Sequence, residues 1–153
     1  MVLAVMAMVF MGSARSFVAM GNYVSMNLKS RGALDEMTRE IRRAGKVASF
    51  ASTPSSVQLT LTKYGTTSSY IGYQWDSTSR QVAEWKTGST TTNVLLTDCD
   101  SLAFSLFNNA LAATTNASSG KVISVTWKCS RTILGNKMTT EHMEQAPIVI
   151  RNQ

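Results

Sequence analysis

The chain has 153 residues, 44% of them hydrophobic and 16% charged, with a net charge of +6 and a single histidine. That length holds one domain, or one domain with an appendage. One histidine excludes metal centres and relays built on several imidazoles, and the low charge content is unlike that of a soluble cytosolic enzyme.

Residues 1–50 carry seven Lys/Arg against three Asp/Glu, and the remainder eight against six, so the positive excess lies at the front. A basic helix suits phosphates, anionic lipid or an acidic neighbour, although a solvated face is the simpler reading. No dense basic run and no alternation of aromatics with charges is present, so nucleic-acid binding is only weakly signalled.

Met1 to Ala14 is almost wholly apolar and runs without proline into Arg15–Ala44. Apolar residues at Phe17, Met20, Val24 and Leu28, then at Leu34, Met37, Ile41 and Ala44, keep helical spacing. Arg42 and Arg43 suit the negative helix end, and Gly45 is expected as a left-handed C-cap. Such a helix, roughly 65 Å long, exceeds a small domain about 30 Å across. Residues 1–26 are therefore expected to project, needing cover from outside the chain. Six of the nine methionines fall in that stretch, and soft side chains suit packing on other helices or lipid. Fourteen apolar residues fall short of the roughly 18–20 that cross a bilayer, so the chain is expected to begin inside a longer hydrophobic segment.

Beyond Gly45 the texture changes. Residues 46–56 read as a linker, and 57–153 as an antiparallel β domain of roughly six strands. Val57–Thr62, Ser69–Trp75 and Arg80–Lys86 form a predicted meander, with turns at Gly65 and Asp76–Ser79. A short run, Asn93–Thr97, precedes Asp100–Phe107. After a polar loop over 108–120, the strongest predicted strand spans Lys121–Leu134, and Glu144–Arg151 closes the chain, with Pro147 placing that strand at an edge. Leu34, Met37, Ile41 and Ala44 need an apolar partner, which the sheet's inner face supplies. The fold class is α+β, a long N-terminal helix packed by its C-terminal half on an antiparallel sheet.

Chemistry finds little footing, and no catalytic, metal or cofactor residues are assigned. Glu141, His142 and Glu144 cluster in sequence but read as a solvated loop. Asp98 and Asp100 flank Cys99 and read as an exposed, mutually repelling pair. Asn116-Ala117-Ser118 matches a glycosylation acceptor, a triplet common by chance. Tyr64, Tyr70, Tyr73, Trp75 and Trp85 recur along the meander, as sheet-face packing or as a stacking platform, with packing favoured. If 99–107 and 121–129 pair as a hairpin, Cys99 faces Cys129, yet Leu102, Phe104 and Leu106 matched to Ile123, Val125 and Trp127 turn the cysteines to opposite faces. A β-bulge reconciles the two. A disulfide or two buried thiols remain open, structural in either case.

Arg31-Gly32-Ala33-Leu34-Asp35-Glu36-Met37-Thr38-Arg39-Glu40-Ile41-Arg42-Arg43-Ala44 resembles the helix end of type IV pilin-like proteins, especially minor pilins and type II secretion pseudopilins. The V-Q-L-T-L-T strand, the aromatic strand after it and the closing I-V-I-R-N are similar to that group as well. The family's leader and the start of its mature helix, a substrate for N-terminal methylation, are not among these residues. The resemblance implies a pilin-like fold, no enzyme activity and no cofactor. It also implies a single-pass inner-membrane anchor with the β domain in the periplasm or at the cell surface, and assembly into a pilus or pseudopilus with sister subunits. On that reading Val2, Val5, Val9, Phe10, Phe17, Met20 and Val24 pack the filament core. A binding module, gripping DNA, a glycan or a secreted protein, is the alternative.

Overall fold

In the computed structural model, the structure describes residues 2–133, 135–139, 143–144 and 147–150; among these, the side chains of residues 2–5, 7, 136 and 143–144 are not described. A long helix followed by antiparallel sheet makes the fold α+β. Helix α1 covers Val2–Arg43, 42 residues, about 63 Å at 1.5 Å per residue. Every side chain described from Met6 to Val18 is exposed. Ala19, Asn22 and Tyr23 are half-buried, earlier than the expected boundary at Met26, which is itself buried. From there Met26, Ser30, Ala33, Met37 and Ile41 are buried at spacings of three and four, the signature of one helix face.

The helix ends without the expected glycine cap. Gly45 is not among the residues with positive φ, because the chain passes from Arg43 straight into strand β1, Ala44–Ser52. Gly45 lies at a register shift between Ala44 and Lys46, where β1 meets β2. The expected linker over 46–56 is thereby corrected, being mostly strand. Val47 is buried and Phe50 half-buried, while Ala48, Ser49, Ala51 and Ser52 are exposed. Too few apolar positions remain for the period to show in sequence.

Strands β2 (Ser56–Lys63), β3 (Tyr70–Asp76), β4 (Gln81–Lys86) and β5 (Asn93–Leu96) follow. With β1 they form a five-stranded sheet in chain order. The predicted meander is present within it, in register Leu59↔Tyr73 and Tyr73↔Glu84. Gly72 sits opposite Trp85, whose indole covers it so closely that a Cβ there would overlap the ring.

The second sheet is centred on β8 (Val122–Ile133). One edge of β8 pairs with β6 (Cys99–Phe107), which also carries the two-residue β7 (Ala113–Thr114). Three short strands also pair antiparallel with β8: β9 (Asn136–Thr139), β10 (Met143–Glu144) and β11 (Ile148–Val149). The single closing strand expected over Glu144–Arg151 is thus divided, with Pro147, which has no N–H to donate, immediately before β11. Two sheets, not one, make the β domain; the short strands along β8 are not legible in the sequence because they lie below the length at which alternation is recognisable.

Leu102, Phe104 and Leu106 pair with Trp127, Val125 and Ile123, as the alternation predicts, and all six are buried. They belong to one hydrophobic cluster with Leu59, Leu61, Tyr73 and Val82 of the first sheet and with Ala33, Met37 and Ile41 of α1.

Candidate functional site

The surface that stands out is the outward side of α1. Val9, Phe10, Phe17, Met20 and Val24 are all exposed, Phe10 at 80% and Phe17 at 75%. Val2 and Val5 lie in the helix, but their side chains are outside the described part. At about 100° per residue, Phe10, Phe17, Met20, Val24 and Leu28 fall within an arc of roughly 80°. That arc is centred about 150° from the arc of Met26, Ser30, Ala33, Met37 and Ile41. The chain's own core is therefore on the wrong side to cover the stripe. Leu28 shows this best: it lies between buried Met26 and Ser30 in sequence yet is 66% exposed. After Leu28 the same arc turns polar, with Arg31, Asp35 and Arg42. Ser13 interrupts it, and its hydroxyl donates to the Val9 carbonyl at 2.7 Å, so it leaves no orphaned donor on an apolar face.

Gly12, Gly21 and Gly32 have nothing within 4 Å of where a Cβ would stand. Among the described residues, no helix is long and apolar enough to cross a membrane; Gly12, Ser13, Arg15 and Ser16 break the apolar run.

Of the residues expected to hold the helix to the sheet, Met37, Ile41 and Ala44 are buried and Leu34 is partly buried. Ala44 makes its contact as the first residue of β1.

A second constellation joins the two sheets. Asp98 and Asp100 are not an exposed repelling pair; each holds an arginine. Asp100 Oδ1 accepts from Arg80 at 2.6 Å, and Arg80 also donates to the Ser130 carbonyl at 2.6 Å. Asp98 Oδ2 accepts from Arg131 Nη2 at 2.6 Å and Nε at 2.8 Å, and Arg131 reaches Asn22 of α1 at 3.4 Å. Alternation failed for this pair because Asp98 lies at φ +59, outside the strand region, as does Arg80 at +52. Burial pushes the Asp100 carboxyl up, but the Ser130 hydrogen bond, Arg80 and Lys137 together hold it below the usual carboxylate range.

Cys99 and Cys129 are directly paired, with the register shift lying between Cys99 and Ser101. That is the bulge needed to turn both inward, and both are buried thiols not joined in a disulfide. The Cys99 thiol donates to the Ser101 carbonyl at 3.2 Å, and hydrogen bonding with the Cys129 sulfur, then burial, pushes its pKa far up. The Cys99 carbonyl accepts from Trp75 Nε1 at 3.1 Å, a further link between sheets.

The remaining candidates are dispersed. Glu141 and His142 lie outside the described residues, and of Glu144 only the strand position is described. Among the described residues no three His, Cys, Asp or Glu side chains are grouped to hold a metal. Asn116 is engaged locally, accepting from the Ser118 N–H and hydroxyl. Of the five meander aromatics, Tyr73 and Trp75 are buried, Tyr70 and Trp85 half-buried, and Tyr64 exposed. No family model and no curated protein matches the chain.

Proposed function

We propose that this chain is a structural subunit of a filament of the type IV pilus or type II secretion pseudopilus kind. The carrying observation is the apolar stripe Phe10–Leu28, exposed on the side of α1 opposite its buried face. Exposed contiguous apolar surface of this extent marks an interaction face, and on a helix the natural partner is another helix stripe. In this reading the second half of α1 lies on the sheets in pilin-like fashion, while the front half packs with sister subunits through Val2, Val5, Val9, Phe10, Phe17, Met20 and Val24.

An inner-membrane anchor with the β domain outside completes the proposal. The fourteen-residue apolar opening rises about 21 Å, against a hydrocarbon core of roughly 30 Å, so it reaches into a bilayer without crossing it. The subunit acts by assembly and carries no catalytic role or cofactor.

Sedimentation equilibrium of the full chain in non-ionic detergent tests the reading. Self-association is expected, weakened about tenfold or more by Phe17→Ala with Val24→Ala and unchanged by Arg39→Ala, since truncating anchors at a packed interface costs ~2 kcal/mol or more. A chain that stays monomeric at every protein-to-detergent ratio would rule the assembly face out.

A further inference from the structure

An open cleft of about 580 Å³ lies where the last turn of α1 meets the ends of β2, β3 and β4. Its volume falls within the roughly 300–1,000 Å³ of small-molecule sites. Its floor is apolar, made by Ala44, Leu61 and Ile71. Two of the tyrosines noted in the sequence stand in it: Tyr70, half-buried, and Tyr64, which is 62% exposed. Packing accounts for Tyr73 and Trp75, which are buried, but the core does not explain an exposed ring at Tyr64.

The charges are unbalanced in one direction. Glu84, only 3% exposed, is answered by Lys86 Nζ at 3.2 Å and by the Tyr73 hydroxyl. Glu40 is approached by Arg39 at 3.9 Å. Among the described residues Arg43 and Lys63, both lining the cleft, form no ion pair. Two cations without a salt bridge of their own therefore border an apolar, tyrosine-walled cleft that is also lined by Ser69, Thr87 and the carboxylate of Glu40. Thr87 Oγ1 accepts from the Tyr70 N–H at 2.9 Å, which leaves its own proton to donate outward.

We propose that this cleft binds an acidic monosaccharide unit, a sugar ring bearing a carboxylate or phosphate. The apolar face of the ring lies on Tyr64, its hydroxyls meet Thr87 and Ser69, and its anionic group sits between Arg43 and Lys63. An amphipathic tyrosine suits a ring with one apolar face and wet edges, and the two cations select the acid over the neutral sugar. This site is separate from the apolar stripe of α1 and does not depend on the filament reading.

Calorimetric titration of the full chain, held in a non-ionic detergent without a sugar head group, tests it with glucuronate, glucose 6-phosphate, glucose and inorganic phosphate. At least one acidic sugar is expected to bind saturably, and about tenfold more tightly than glucose or inorganic phosphate; the tighter of the two tells carboxylate from phosphate. Tyr64→Ala and the double variant Arg43→Gln, Lys63→Gln are each expected to weaken binding about tenfold while keeping the parent melting temperature, because these side chains stand at the surface. No saturable binding of either acidic sugar overturns the proposal. So does binding undiminished in both variants, or inorganic phosphate bound as tightly as the sugars.

Discussion

Gly72 shows how one residue sets the first sheet. It lies opposite Trp85, and the absent Cβ is the space the indole occupies. Gly72→Ala forces the ring off the strand, and overpacking of this kind costs about 1–3 kcal/mol. A lowered urea midpoint with an unchanged slope is the expected outcome; an unchanged midpoint would mean the indole has a second resting place. Asp100 is the other residue on which stability turns. Its carboxyl is held below its ordinary value in the folded chain, so its contribution is present above the unfolded pKa, about 4, and is lost as pH falls through the folded one. Asp100→Asn is therefore expected to lower the melting temperature at pH 7. The gap from the parent should narrow as pH falls below about 4 and the parent carboxyl becomes protonated as well. A gap that persists undiminished in acid would assign the effect to packing instead of the Arg80 ion pair.

At the scale of elements, what the sequence disclosed depended on whether a regular period ran long enough to see. Leu102–Phe104–Leu106 against Ile123–Val125–Trp127 was legible because both strands alternate without interruption, and that register brought Cys99 to Cys129 through the bulge. Strand β1 was not, since serine and alanine hold most of its outward positions, and β9, β10 and β11 are too short to carry alternation. The inter-sheet arginines were missed for a different reason: Arg80 and Arg131 are 51 positions apart in sequence and converge on Asp98, one at its carbonyl and the other at its carboxylate, where Arg80 and Asp98 each sit at positive φ. The cysteine pair gives this scale its prediction. Directly opposed antiparallel residues have Cα atoms about 4.5–5.5 Å apart, inside the window of about 4.4–6.8 Å that a disulfide spans. Oxidised glutathione is expected to convert the pair to a disulfide, with the loss of two hydrogens by intact mass and a higher melting temperature, since closing a loop of this length contributes roughly 3–4 kcal/mol. Reaction is expected to be slow, because both thiols are buried. Mixed disulfides with glutathione on each cysteine, and no internal bond, would show that the bulge does not bring the sulfurs into line.

The whole molecule divides by burial and not by any break in the helix. Proline is absent from α1, and its glycines interrupt nothing in the hydrogen-bonded run from Val2 to Arg43. The helix passes continuously from a front whose described side chains are exposed to a rear whose Met37 and Ile41 are fully buried. Removing the front should therefore cost the β domain little, because every side chain described from Met6 to Val18 is exposed and an exposed side chain contributes little burial energy. Removing the rear should be ruinous, since losing buried Met37 and Ile41 together forfeits about 2–5 kcal/mol for each, against a total stability of about 5–15 kcal/mol. A chain beginning at Gly21 keeps the half-buried Asn22 and Tyr23, and with them the Asn22–Arg131 contact. That truncation is expected to be monomeric without detergent and to melt cooperatively at nearly the temperature of the full chain. One beginning at Arg42, without Met37 and Ile41, is expected not to fold. If the Gly21 truncation also loses its cooperative transition, the front half of α1 contributes to the stability of the domain, and the division between a free front and a held rear is wrong.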